Sequence, residues 1–215
     1  MHIMETNAPI RQPNATIGPI VAFDFDGTLT FEDSFATFLA WQAGPARHAL
    51  GMARLIPAAI RYGVDRDRGR LKAAAVHEYL GGVSRDWLAD RARAFAAVRS
   101  GDLLRPDAVA CWNEWRARGA RLVIVTASPE ITVAPFARAL GADDLIGTRL
   151  AFDDRDRVTG ALDGANCRGP EKIIRLKQVF GADVELAAAY GDSDGDIEML
   201  AFGKQSGLRV FTARP

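Results

Sequence analysis

Two pairs of carboxylates follow apolar runs that predict buried strands. Asp24 and Asp26 end the run in "IVAFDFDGTLT", and Asp192 and Asp196 lie in "GDSDGD" after a second run. Carboxylates gathered in one place raise each other's pKa, so a folded chain tolerates them best around a cation. Mg²⁺ prefers hard oxygen ligands and keeps positions for water or phosphate oxygens. If the fold brings the two pairs together, they predict a Mg²⁺ site.

A hydroxyl and an amine in similar positions extend this chemistry to phosphoryl transfer. Thr126 ends the strand-like "RLVIVT", and Lys172 falls in the first turn of the helical "GPEKIIRLKQVFG". Both side chains can donate to the non-bridging oxygens of a phosphoryl group. A neighbouring carboxylate can attack phosphorus and form an aspartyl-phosphate. A second carboxylate two residues on can protonate the leaving oxygen and later take a proton from water.

Each feature alone has an ordinary structural explanation. Asp and Gly in "DGT" are common turn residues. "GDSDGD" resembles a calcium loop, although it lacks the downstream glutamate of the twelve-residue site. Lys172 alone would be a solvated helix charge, and Thr126 alone a strand end. The occurrence of all four motifs in order favours an active site.

The elements around these motifs predict an α/β fold with a doubly wound, mainly parallel sheet. Strands alternate with helices from residue 105 onward, whereas 34–104 has helical periodicity and predicts four helices inserted after the first strand. We expect a loose lead-in over 1–19, a core formed by 20–33 and 105–215, and a helical domain over 34–104. Parallel strands bring the residues at their carboxyl ends to one edge, where all the candidate residues fall.

Composition excludes several classes of function. The 215 residues are 48% hydrophobic and carry 27 basic and 27 acidic side chains, so no nucleic acid partner is indicated. The 34–104 segment is nevertheless basic, with eleven Lys and Arg against six Asp and Glu. Two distant cysteines indicate a reducing, cytoplasmic setting. The apolar stretch 49–63 is too short to span a bilayer and contains Arg54, so no transmembrane segment is predicted.

Together the four motifs resemble those of the haloacid dehalogenase superfamily, in particular the phosphoserine phosphatase-like subfamily IB with a helical C1 cap. The matching motifs are "DFDGT" at 24–28, the strand ending in Thr126, Lys172 in "GPEK", and "GDSDGD" at 191–196, and the resemblance runs from about residue 20 to 210. It implies a Rossmann-like core with the 34–104 helices as a cap that closes over the site.

The resemblance also implies roles for the carboxylates. Asp24 resembles the nucleophile and Asp26 the general acid/base. Asp192 would complete the Mg²⁺ site with the Asp24 carboxylate and the Asp26 backbone carbonyl, and Asp196 would support it from nearby. A carboxylate at position 26 favours phosphate chemistry, because the dehalogenases of the family lack one there.

The same resemblance assigns residues to the phosphoryl group. Thr126 and Lys172 would hold its oxygens, with Lys172 also offsetting the carboxylate charges. Thr28 would stabilise the loop after the nucleophile, and Gly27 would let the backbone approach the phosphate closely.

Substrate choice is predicted to depend on residues near these motifs. Asp33, nine positions after Asp24, occupies the position where phosphoserine-specific relatives hold the substrate amino group. Those relatives, however, have two glycines where this chain has Ala127 and Ser128, and an asparagine where it has Gly195. We predict that Asp33, Ala127 and Ser128 contact the substrate, and phosphoserine is not favoured.

The basic helical segment supplies a second substrate hypothesis. "TASPE", "NCRGPEK" and 49–62 are similar to a bacterial branch that includes phosphatidylglycerophosphate phosphatases. Hydrophobic helices with arginines suit a lipid headgroup and peripheral membrane contact, although the apolar residues would equally form cap core. Arg54 and Arg61 are the cap arginines predicted to reach the substrate.

The main hypothesis is a Mg²⁺-dependent phosphomonoester hydrolase acting through an aspartyl-phosphate on a small or headgroup phosphate. Alternatives are a lipid phosphatase of the phosphatidylglycerophosphate type, a phosphoserine phosphatase, a phosphomutase, and a non-catalytic phosphate-binding module. The last would be expected to lack the nucleophile or the lysine, and both are present. No oligomeric state is predicted.

Overall fold

The computed structural model describes residues 18–215, so most of the predicted lead-in lies outside the described residues. Its main sheet is parallel throughout, with strand order β3-β2-β1-β6-β7. A separate antiparallel hairpin is formed by β4 and β5. The strands are β1 Ile20–Phe23, β2 Arg121–Pro129, β3 Asp144–Thr148, β4 Leu150–Phe152, β5 Val158–Leu162, β6 Leu186–Gly191 and β7 Gly203–Leu208. The predicted α/β class with a doubly wound parallel sheet is confirmed.

The described helices fall into two groups. Five belong to the 34–104 segment that follows β1: α1 Ser34–Ala43, α2 Pro45–Arg54, α3 Ile56–Asp65, α4 Arg68–Leu80 and α5 Arg85–Leu103. The others accompany the sheet: α6 Pro106–Ala117, α7 Glu130–Leu140, α8 Pro170–Phe180 and α9 Ile197–Phe202. None of the helices in the described part of the chain is long and apolar enough to cross a membrane.

Two details of the predicted elements are wrong. Four helices were expected before residue 104, but 49–63 forms two, because α2 ends at Arg54 and Pro57 lies in the first turn of α3, where its missing N–H costs nothing. The apolar "GLRVFTA" at 207–213 predicts the last strand there, but β7 begins earlier, at Gly203, and ends at Leu208. It pairs with β6 from Leu186 onward, so the polar "GKQS" is held by ladder pairing with its neighbour.

Alternate residues of β1 enter two separate apolar cores. Val21 and Phe23 pack with the aromatic residues of α6, including Trp112, whereas Ile20 and Ala22 pack with Leu176 of α8 on the opposite face. The central strand is therefore buried on both faces, as expected in a parallel sheet covered by helices.

The strand register decides which polar residues meet. Phe23 is paired with Ile124 on one side and Tyr190 on the other. The residues that follow these three positions therefore emerge at one edge of the sheet, where ligand sites of parallel α/β sheets lie.

Candidate active site

Asp24 is the first residue after β1 and is anchored at both its backbone and its side chain. Its N–H donates to the Tyr190 carbonyl at 2.9 Å. Its Oδ1 accepts from Lys172 Nζ at 2.6 Å, while Oδ2 has only a long contact with the Thr28 hydroxyl at 3.5 Å. Asp24 is 6% exposed and lines a cavity at this edge of the sheet. Oδ1 is thus fixed by Lys172, whereas Oδ2 has only the weak contact with Thr28.

Lys172, in the first turn of α8, joins the two carboxylate motifs. Its fully buried Nζ donates to Asp24 Oδ1, Asp196 Oδ1 and the Val125 carbonyl, each at 2.6 Å. Burial alone would lower the pKa of Lys172, but the charges of Asp24 and Asp196 outweigh it and raise the pKa above its usual value. Lys172 therefore stays protonated and holds both carboxylates in place.

Asp192 and Asp196 follow β6 and meet Asp24. One oxygen of each of the three carboxylates lies within 4.8 Å of the others. Asp196 uses both of its oxygens inside the protein, because Oδ1 is bound to Lys172 and Oδ2 accepts from the Ser193 N–H at 3.0 Å and hydroxyl at 2.9 Å. Asp192 is half-buried and lines the cavity. The three carboxylates form a group with the spacing of a cation site, and Asp24 and Asp192 are less engaged within the protein than Asp196.

The charge balance of the site fits a divalent cation. Burial, with the charges of Asp196 and Asp26, raises the pKa of Asp24 to about 7 despite the opposing effect of Lys172. Burial and the charge of Asp196 also raise the pKa of Asp192. The positive charge of Lys172 therefore compensates these two carboxylates only in part, and hard oxygen donors of this kind are the ligands that Mg²⁺ prefers.

Gly27 sits against Asp192. Its φ is +82°, and a Cβ added there would lie 2.3 Å from Asp192 Oδ2. A side chain at position 27 would therefore push the Asp192 carboxylate away from Asp24. The close contact with Asp192 accounts for a glycine at position 27. The close approach of the Gly27 backbone to phosphate stays a prediction.

We expect Gly27→Ala to weaken cation binding by about 10- to 100-fold, the effect typical of displacing groups that orient a metal ligand. The measurement is the Mg²⁺ concentration that gives half-maximal phosphatase activity. Gly44→Ala is the matched control, because Gly44 also has positive φ, +74°, but nothing lies within 4 Å of an added Cβ. Equal effects of the two substitutions would contradict this role of Gly27.

Asp26 is held in an environment that favours its protonated form. Its Oδ1 accepts from the Ser34 N–H at 2.7 Å and its Oδ2 from the Ser128 hydroxyl at 2.5 Å. Burial and then the charge of Asp33 raise its pKa, more than these hydrogen bonds lower it. A carboxyl group with a raised pKa is suited to protonating a leaving oxygen.

Three residues at the end of β2 are predicted to contact phosphate or substrate, and the structure places two of them at the cavity. Thr126 is fully buried, its Oγ1 accepts from the Ser128 N–H at 3.0 Å, and it is absent from the cavity lining formed by the described residues. Ala127 and Ser128 line the cavity. Because β2 continues to Pro129, the chain turns later than the sequence suggests, and Ser128 is the hydroxyl that meets Asp26.

The structure does not bring the predicted arginines Arg54 and Arg61 to the cavity. Arg54 pairs with Glu78 at 3.3 Å and Arg61 with Asp65 at 3.5 Å, and both side chains are more than half exposed. Arg68 and Lys72 of α4 line the cavity instead. The contact of Arg54 and Arg61 with the substrate stays a prediction that their position does not support, because both side chains are exposed to solvent.

Lys72, like Arg68, is a cavity-lining cation of α4 that the sequence analysis did not select as a substrate ligand. Its Nζ donates to the Ala127 carbonyl, and burial lowers its pKa although Asp26 and Asp33 raise it. Helical periodicity could have indicated that Lys72 points inward, because it lies one turn before the buried Val76 and shares its face of α4.

The cavity has a volume of ≈ 690 Å³ and joins the carboxylates to the helical segment. Asp33 lines it, but its Oδ1 already accepts from the Ala36 N–H at 2.8 Å as the cap of α1. Phe31 and the helices supply a cluster of apolar side chains beside the basic Arg68 and Lys72, and the cluster comprises Phe31, Phe35, Leu39, Met52, Leu55, Leu71 and Ala75. One end of the cavity is thus ionic and the other suits an apolar group.

The pKa of Asp24 makes the stability of the metal-free protein depend on pH. A carboxyl group whose pKa rises from 3.8 to about 7 on folding contributes stability that is complete below its unfolded pKa and lost as pH rises through the folded pKa. In EDTA, we expect the unfolding free energy to fall between about pH 4 and pH 8 relative to Asp24→Asn, by about 1.4 kcal/mol per pKa unit at most. Urea unfolding of both proteins measures it, and a pH-independent difference would contradict the shift.

The arrangement of the four motifs at one edge of the sheet is typical of a class of enzyme. Comparison with known proteins identifies that class. The haloacid dehalogenase-like hydrolase profile matches residues 21–201, and the chain belongs to that family. It is 59% identical to protein CicA of Caulobacter vibrioides over 91% of this chain and 88% of that protein. It is 29% identical to a phosphoserine phosphatase of Halobacterium salinarum over 84% of this chain and 81% of that enzyme.

A solved structure has a similar fold over most of the chain. A protein of unknown function from Bordetella pertussis matches with a TM-score of 0.75 at 26% identity, covering 89% of this chain and 90% of that one. The family match and the phosphatase relatives confirm the predicted class of enzyme: this chain is a phosphatase of the haloacid dehalogenase-like hydrolases, similar to the phosphoserine phosphatases.

Proposed function

We propose that this phosphatase hydrolyses phosphomonoesters with Mg²⁺ and through an aspartyl-phosphate at Asp24. The observation that carries the proposal is the asymmetry of the Asp24 carboxylate. Its Oδ1 is fixed by Lys172 at 2.6 Å, while Oδ2 has only a contact of 3.5 Å. An oxygen held beside the cavity without a strong partner is suited to nucleophilic attack.

In the first half-reaction, Asp24 Oδ2 forms a bond to phosphorus and the ester P–O bond breaks. Asp26 gives its proton to the departing oxygen, in keeping with its raised pKa. Lys172 stays charged and offsets the negative charge that gathers beside Asp24.

In the second half-reaction, the ionised Asp26 takes a proton from water as the water oxygen bonds to phosphorus. The bond between phosphorus and Asp24 breaks, so inorganic phosphate leaves and both carboxyl groups return to their starting states. Asp24, Asp192 and the Asp26 carbonyl would hold Mg²⁺, which when bound neutralises phosphoryl charge.

The helices over 34–104 act in this proposal as a cap on the core formed by 20–33 and 105–215. Residues of both parts line the cavity, and Lys72 of α4 reaches the Ala127 carbonyl after β2. A cap in this position excludes water from the phosphoryl group. Its arginines and Lys72 favour an anionic substrate.

An apolar or mixed leaving group is better supported than phosphoserine. Asp33, the residue that would hold an amino group, caps α1, and the cavity wall carries a cluster of apolar side chains. These apolar side chains offer no partner to the ionic groups of a charged amino acid.

The experiment that tests the proposal is phosphate release from an aryl phosphate with Mg²⁺ and with EDTA. We expect stoichiometric inorganic phosphate with Mg²⁺ and loss of activity with EDTA that added Mg²⁺ restores. Transfer of the phosphoryl group back to the substrate would indicate a phosphomutase, and no turnover in any divalent metal would indicate a binding module. Either result would overturn the proposal.

A further inference from the structure

The α2 and α3 helices leave an apolar face uncovered. In the described structure α3 has no buried residue, and α2 has only Gly51. Ile56, Ile60 and Val64 lie at steps of four along α3 and are 55%, 67% and 85% exposed. Residues spaced by four lie on one face of a helix. These three residues form what we call the outer stripe.

The opposite side of these helices is also apolar. Leu55 and Tyr62 line the cavity, as does Met52. A helix with apolar residues on two sides is unusual at a surface in water, and a contiguous exposed apolar patch commonly marks a site of interaction. The outer stripe begins at Ile56, directly after the cavity-lining Leu55, so it starts beside the apolar wall of the cavity.

The segment that carries the outer stripe is basic. Residues 45–72 contain seven Lys and Arg against two Asp. The exposed side chains include Arg54, Arg61, Arg66, Arg68 and Arg70. Apolar residues flanked by arginines are the pattern by which helices lie in the interface of an anionic membrane. A second copy of this chain would instead bring two positively charged faces together, which disfavours self-association.

We propose that the outer stripe docks this phosphatase on an anionic lipid bilayer, and that the cavity accepts a phosphomonoester whose apolar part lies in that bilayer. The substrate part of this proposal rests on the proposed hydrolysis at Asp24. The phosphate would occupy the ionic end of the cavity, and the apolar part would pass the wall that includes Met52 and Leu55 toward the outer stripe.

Co-sedimentation with vesicles tests the docking. The probes are vesicles of phosphatidylcholine alone and of phosphatidylcholine with about a third phosphatidylglycerol. We expect binding to the anionic vesicles, weakened by salt, and at least a ~10-fold loss of that binding for Ile56→Glu/Ile60→Glu. Val98→Glu is the matched control, because Val98 is 63% exposed on α5, and it should bind as the parent does.

Three results would overturn the docking. They are absence of binding at low salt, equal binding by the parent and Ile56→Glu/Ile60→Glu, and a parent dimer in size-exclusion chromatography that becomes monomeric in the double variant. The last result would assign the outer stripe to self-association.

Turnover of two substrates tests the second part of the proposal. Hexadecyl phosphate in the anionic vesicles carries an apolar chain, and p-nitrophenyl phosphate in solution does not. We expect Ile56→Glu/Ile60→Glu to lower turnover of hexadecyl phosphate at least ~10-fold while leaving p-nitrophenyl phosphate unchanged. Equal loss on both substrates, or no turnover of hexadecyl phosphate by the parent, would contradict the inference. No turnover of either substrate by the parent would overturn the proposed hydrolysis, while vesicle binding would still report on docking.

Discussion

Asp24→Asn is expected to abolish phosphate release, by a factor of at least ~10³, while the protein remains folded. The amide lacks the negative charge and nucleophilicity of the carboxylate, but it has the same size and can still accept from Lys172, which lies 2.6 Å from Oδ1. The measurement is turnover of an aryl phosphate at saturating Mg²⁺. The loss should appear in kcat, because the substituted group acts on the reacting phosphorus.

Two controls separate chemistry from folding. Asp154→Asn makes the same change on the exposed β4–β5 hairpin and should leave turnover unchanged. In EDTA, Asp24→Asn should unfold at the same temperature as the parent or higher, because burial disfavours the charge at this position. Turnover by Asp24→Asn within tenfold of the parent would remove Asp24 as the nucleophile.

Lys172→Met is expected to cause the largest loss of stability, about 3–5 kcal/mol in the free energy of unfolding, together with loss of activity. Nζ is fully buried and lies 2.6 Å from both Asp24 Oδ1 and Asp196 Oδ1. Methionine would leave two buried carboxylates without their shared cation. Urea unfolding in EDTA measures the effect without a contribution from bound metal.

A matched substitution on the same helix provides the control. Lys177 of α8 is exposed, and Lys177→Met should change the free energy of unfolding by no more than about 0.5 kcal/mol. Adding Asp24→Asn to Lys172→Met should recover part of the loss, because it removes one of the uncompensated charges. A loss for Lys172→Met no greater than for Lys177→Met would show that the buried ion pairs do not stabilise the fold.

The meeting of distant motifs was predictable from sequence because it follows from sheet topology. Asp24 and Asp192 each follow a strand, and Lys172 starts a helix between strands. Parallel pairing of β1 with β2 and β6 then leaves little freedom in where these residues emerge. Buried apolar strands and helix starts have strong local signals, so the ionic half of the site could be assembled from the order of its motifs.

The cap side could not be predicted in the same way, because it depends on how each helix rotates about its axis. Arg54 and Arg61 occur in a basic run that is uniform in sequence, yet they point outward, while Lys72 points inward. The hydrophobic pattern of α3 gives no single inward face, since both of its sides are apolar. Side-chain direction there is set by packing against α4, which local sequence does not specify.

Hydroxyl groups at the end of β2 show a finer limit of sequence reasoning. Thr126 and Ser128 are two residues apart in β2, and by residue type alone each could face phosphate. The extension of β2 to Pro129, which pairs with Thr148 of β3, places Ser128 on Asp26. This choice depends on tertiary pairing at the strand end.

The most direct test of the account is to trap the aspartyl-phosphate. In Asp26→Asn, an aryl phosphate should still transfer its phosphoryl group, because its leaving group needs little help from an acid, whereas hydrolysis loses its base. Acid quenching should show a burst of about one aryl product per protein molecule and a radiolabelled phosphoryl group on the peptide that contains Asp24. Turnover without a burst or protein-bound label, or a label on another residue, would contradict the account.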